Sequence, residues 1–158
     1  MAQAFTQAVD LARRYCRLIE VASNSDPAWL VQVAETLPRL QAALVSLDEV
    51  DAAPGAYPLP DLDACFELYR KLVERLGDRD RYCLEFDQCG EMGAMTGSLA
   101  ADLSDLYWPL KQGLQLADTL VDGIRPDWPE AFPTHWGRHL IDAHRQLMTL
   151  AAQGRLAC

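Results

Sequence analysis

Apolar residues recur at spacings of three and four along five separate stretches of this chain, and that recurrence restricts its fold more than any other feature. A period near 3.6 puts such residues on one stripe of a helix, which has to be buried against another stripe. The first stretch covers roughly residues 3–22, with Phe5, Val9, Ala12, Cys16 and Ile19 on one face. The second opens with Asp26 as N-cap and Pro27 at the first helical position, and carries Leu30, Val33, Leu37, Leu40, Leu44 and Leu47. Asp61 can cap the third, whose stripe is Leu62, Phe66, Tyr69, Val73 and Leu76 ahead of Gly77. The fourth, roughly 96–122, has Thr96 or Ser98 as N-cap and Leu99, Leu103, Leu106, Leu110, Ala117 and Leu120 on its buried side. The fifth enters through Pro129 and Pro133 and runs to about residue 152, with Trp136, Leu140, Ala143, Leu147 and Leu150 as its stripe. Trp29 and Trp128 stand at helix starts and read as staples.

Pro38 and Pro109 fall inside the second and fourth helices, where a missing backbone donor predicts a bend. Gly113 lies near the buried side of the fourth and leaves room for a close neighbour. Residues 48–61 form a Pro/Gly/Asp connection. Residues 78–95 are a second irregular stretch, in which Tyr82, Leu84 and Phe86 alternate with Cys83 and Glu85 as a short extended segment would. Neither flank of the first connection is long enough to fold alone, so residues 1–158 are expected to make one domain. The expected fold is all-α: an antiparallel helical bundle of four core helices plus a capping or crossing helix, with two long irregular loops.

Composition removes several classes. Half the residues are apolar and 23% are charged, which is globular usage and not that of a disordered chain. No run approaches the roughly 18 apolar residues of a membrane span, and the N-terminus shows no basic region followed by an apolar one. No membrane association is expected. A formal charge of −9 repels phosphate backbones, so no nucleic-acid partner is expected. The same charge favours solubility and would steer a basic protein toward the surface. The five cysteines, Cys16, Cys65, Cys83, Cys89 and Cys158, are odd in number and lack a Cys-x2-Cys pair. Cys16 and Cys65 read as small core residues. Cys83 and Cys89 bracket a loop and could pair under oxidation, but are expected unpaired, as in a reducing cytoplasm.

Ionisable groups gather beside the last two stripes. At 100° per residue, Asp102 falls at the edge of the fourth stripe with Asp105 further round the same flank. His135 and His139 occupy one flank of the fifth, while His144 points to the other and reads as a surface residue. His at i and i+4 can share a metal ion, as can carboxylates at i and i+3, and Glu20 is a possible fifth group. Such a mixed set suits zinc, manganese or iron. The structural alternative is a buried Asp–His or Asp–Arg network, with Asp102 also favoured by the dipole of its helix's first turn. Trp108 sits nearly opposite its own stripe. Either the 83–93 loop covers it or it contacts a partner protein. A phosphate-cradling glycine loop, a Gly-x-Ser-x-Gly elbow and a His-Glu-x-x-His pair are all absent.

The segment Leu99-Ala100-Ala101-Asp102-Leu103-Ser104-Asp105-Leu106-Tyr107, with Leu110-Lys111-Gln112-Gly113-Leu114, then Trp128, Phe132 and His135-Trp136-Gly137-Arg138-His139-Leu140, resembles a bacterial family known as domain of unknown function 5063. Phe5 and Tyr15-Cys16-Arg17-Leu18-Ile19-Glu20 are similar to that family's opening. The resemblance spans most of the chain. It departs at Pro109, where members commonly carry an acidic residue. It implies a small α-helical protein and no established activity, and it assigns no catalytic or cofactor-binding residue. The acidic surface and the lack of a catalytic constellation leave two main function classes, beside a third in which a Trp/Tyr-lined pocket senses a small molecule. One is a non-enzymatic cytoplasmic protein that binds another protein, a basic one being a candidate, as an inhibitor or immunity protein does, with no cofactor. The other is a metal-dependent, hydrolase-like enzyme using Asp102, Asp105, His135 and His139.

Overall fold

The computed structural model describes residues 2–22, 26–47, 60–84, 95–119 and 126–157. Six α-helices span Ala2–Glu20 (α1), Trp29–Val45 (α2), Leu62–Leu76 (α3), Leu99–Thr119 (α4), Trp128–Ala131 (α5) and Gly137–Ala152 (α6). A π-helical turn, Phe132–Trp136, joins α5 to α6. The strands are Arg81–Tyr82 (β1) and Gly97–Ser98 (β2), paired antiparallel with Arg81 opposite Ser98 and Tyr82 opposite Gly97.

Four helices build the core. The first packs on α2 and α4, and α6 packs on α4 and α2, so each touches two of the others. Their stripes are those expected from the periodicity. Val9, Ala12, Cys16 and Ile19 of α1 are buried, as are Leu30, Val33, Leu37, Leu40 and Leu44 of α2. Leu99, Leu103, Leu106 and Leu110 of α4 meet Leu140, Ala143, Leu147 and Leu150 of α6 in the same core. The run from α5 to α6 is antiparallel to α4. Trp128 lies beside Gly113, His139 beside Asp102, and Gln146 donates at 3.3 Å to the carbonyl of Arg79, ahead of α4. Leu120, Phe86, Cys89 and Cys158 lie outside the described residues, as do residues 48–59 of the first connection.

The third helix departs from expectation. Of its predicted stripe only Leu76 is buried, with Leu72 beside it, while Leu62 is 81% and Phe66 65% exposed. The reason is its neighbour set. Among the core helices it packs appreciably on α4 alone, so one narrow seam of its surface is covered. The second helix also begins later than expected. Trp29 is its first residue, and Asp26 closes the turn before it by accepting from the Ala28 N–H at 2.9 Å. Neither Pro38 nor Pro109 ends its helix.

The cysteines divide. Cys16 is buried and free, and burial pushes its thiol up to about 12. Cys65 is free and half-buried. Cys83 is disulfide-bonded, to a partner outside the described residues, which corrects the expectation of unpaired thiols. It leaves a two-residue strand and lacks the helical packing that shields Cys16.

Candidate functional site

The most ionisable interior point is built by the start of α4. Asp80 accepts from the Ala100 N–H at 2.8 Å, and its carbonyl accepts from the Leu99 N–H at 2.9 Å. Ser98 Oγ donates to Asp80 at 2.9 Å and accepts from the Ala101 N–H at 3.2 Å. These bonds satisfy the orphan amides of the first turn and fix where α4 begins. Asp102 then falls in that turn, facing α6. Gly97 makes room for the Tyr82 ring, since a Cβ there would overlap it. That space lets Tyr82 OH reach Asp102 and donate to one carboxylate oxygen.

The other oxygen meets His139 Nδ1 at 2.9 Å. A carboxylate only accepts, so this bond assigns the proton to Nδ1. His139 Nε2 then faces outward, 3.6 Å from Asp105 Oδ2 and 3.4 Å from Arg138 Nε. A neutral ring accepts from Arg138 there. A protonated ring turns the same nitrogen into a donor toward Asp105. Burial falls steeply across the cluster, with side-chain exposures of 9% for Asp102, 21% for His139 and 55% for Asp105.

The electrostatics follow this gradient. The Asp102 bond raises the His139 pKa above the ordinary imidazole value; burial opposes it and Asp105 assists. Partial burial pushes Asp105 upward, against the pull of His139. Burial, and then the bond to Asp102, hold the Tyr82 hydroxyl protonated well beyond the usual phenol range. The network can therefore keep a proton on an imidazole wedged between two aspartates. Among the described residues, the His139 ring meets the Asp102 and Asp105 carboxylates and the Arg138 guanidinium.

Of the residues expected to converge, Asp102, Asp105 and His139 do. His135 does not: it is exposed on the π-helical turn, with Nδ1 2.6 Å from Thr134 Oγ1. A π turn holds an extra residue, so the 100° step that put His135 and His139 on one flank fails across it. Glu20 stands in a separate group, accepting from Tyr107 OH at 3.0 Å and Lys111 Nζ at 2.5 Å. His139 and Asp105 are the two groups in the cluster with an outward-facing donor atom. Among the described residues no set of three or more His, Cys, Asp or Glu side chains is placed to hold a metal ion. Sequence reasoning missed Asp80 and Tyr82, which reach α4 across 20 residues. The alternation at Tyr82 was the one hint.

Trp108 is half-buried, its ring edge-on to Tyr107 at 5.0 Å, and its enclosed indole N–H has no partner among the described residues. It floors a cleft of about 280 Å³ between α1, α3 and α4, also lined by Ile19, Leu68 and Lys71. The 83–93 loop expected to cover it lies mostly outside the described residues.

The model of the family described as Domain of unknown function (DUF5063) matches residues 1–153, and the chain belongs to that family. No curated relative matches it. Among solved structures, the crystal structure of protein BF1032 from Bacteroides fragilis is similar, with a TM-score of 0.75 and 19% identity over 93% of this chain and 91% of that one. At that identity the likeness is one of fold.

Proposed function

We propose that this member of the DUF5063 family is a non-enzymatic binding protein that presents α3 to a basic protein partner, in the manner of an inhibitor. The observation that carries this reading is the uncovered start of α3. Leu62 and Phe66 are exposed one turn apart, on a helix held to the core along one seam. Two large apolar side chains so far out of the core are characteristic of a contact surface. Asp61, Asp63 and Glu67 surround them, and the nearby Arg70 is already held by Glu67 and Glu74. An apolar centre with an acidic rim fits a partner that offers the opposite charge around its own apolar anchor. Leu62 and Phe66 stand further out than Trp108, which supports a contact at these residues instead.

The test has two steps. A photo-crosslinking residue at position 66 first identifies the protein captured in cells. Affinity is then measured between the two purified proteins. Leu62→Glu with Phe66→Glu is expected to weaken that affinity by about 30-fold or more, as loss of a central apolar anchor does. Added salt should slow association. A double variant that binds the purified partner as tightly as the native chain would refute the proposal. So would a position-66 crosslink made only to a second copy of this chain.

A further inference from the structure

The chain carries a large excess of carboxylates, yet its arginines are not evenly neutralised. Nearly everywhere in the described residues, an arginine side chain donates to a carboxylate, a backbone carbonyl or His139. The exceptions are Arg14, Arg17 and Arg39, and all three line one groove of about 1110 Å³ between α1 and α2. Arg14 and Arg17 are one turn apart on α1 and therefore neighbours. Arg39 faces them from α2. Gln3 and Gln7 extend the same polar stripe toward the start of α1, with Leu11 as an apolar wall. Asp10 is the acid of the groove, and Arg13, 4.0 Å away, partly offsets it.

Three guanidinia without a partner among the described residues surround one concavity, and on a chain of net charge −9 they concentrate positive potential where the rest of the surface repels anions. A guanidinium offers a planar fork of donors matched to phosphate oxygens. Forks converging from two helices can hold more than one phosphate group at once. The groove is large enough for the remainder of a nucleotide-sized molecule, and the amides and Leu11 give that remainder polar and apolar contacts. We propose that this groove is a binding site for a small molecule bearing at least two phosphate groups, a nucleoside diphosphate being the representative. This site is separate from α3 and does not depend on the protein-binding reading.

The test is titration calorimetry of the full chain with inorganic pyrophosphate and with ADP, using adenosine as the uncharged control. Saturable binding of both phosphates, and none of adenosine, is expected. Tighter binding of ADP than of pyrophosphate would add that the rest of the groove contributes. Replacing Arg14, Arg17 or Arg39 singly with Gln should weaken binding roughly tenfold each, and the triple variant should abolish it. Arg39→Lys should fall between native and Gln, since it keeps the charge and loses the fork. The Tm of each variant should stay at the native value, because these side chains make no bond among the described residues. No saturable binding of either phosphate at millimolar concentration would overturn the proposal. So would a triple variant that binds as the native chain does.

Discussion

Asp102 is nearly enclosed, and it is held by two donors, Tyr82 and His139. His139→Ala would leave a buried carboxylate with one of them, at a cost of roughly 2 kcal/mol in unfolding stability measured by urea titration. The pH dependence has a definite sign. The native pKa of His139 is raised, so its contribution is complete below about pH 6.5 and is lost as pH rises through the higher native value. The Tm difference between the native chain and His139→Asn should therefore shrink as pH rises above about 6.5. Thiol chemistry offers a second check. Native protein should alkylate faster at the half-buried Cys65 than at the buried Cys16, and at Cys83 only after reduction. At this scale the sequence was partly legible. Asp102 and His139 were readable because each borders a regular apolar stripe. His135 was not, because the π turn shifts the phase between it and His139. Tyr82 and Asp80 belong to no stripe, and tertiary contact alone brings them to α4.

Among the elements, α3 separates amphipathic pattern from burial. Its spacing is as helical as that of α1, and the helix forms where expected, yet much of its apolar surface stays outside. Periodicity reports which face a helix offers. It cannot report whether a second layer exists to receive that face. Substituting Leu62 and Phe66 with Glu should accordingly change stability by no more than about 0.5 kcal/mol, whereas Leu72→Ala, fully buried against α4, should cost about 2 to 4 kcal/mol. Glycines mark the opposite situation, surfaces pressed so close that a methyl group does not fit. A Cβ at Gly113 would overlap the Trp128 indole, whose N–H donates to the Pro109 carbonyl at 3.2 Å. Gly113→Ala should therefore lower stability by about 1 to 3 kcal/mol through overpacking, read as a fall in Tm. The sequence showed that Gly113 lay near a packed side; which partner filled the space followed from the route of the chain after α4.

Across the molecule, the four core stripes and the all-α class were legible because one period governs most of the chain. The two proposed surfaces were less so. Acidity was read as a property of the whole, whereas acidic residues flank the exposed Leu62 and Phe66, and arginines without a partner among the described residues gather in the groove on α1 and α2. One last consequence comes from the short ladder between Arg81–Tyr82 and Gly97–Ser98. Its strands and Asp80 fasten both ends of the intervening chain to the start of α4. The chain thus leaves and rejoins the scaffold at nearly one point. Residues added between Tyr82 and Gly97 should leave the register of every core helix unchanged, because extending a segment whose ends are anchored adds only a slowly growing entropic cost.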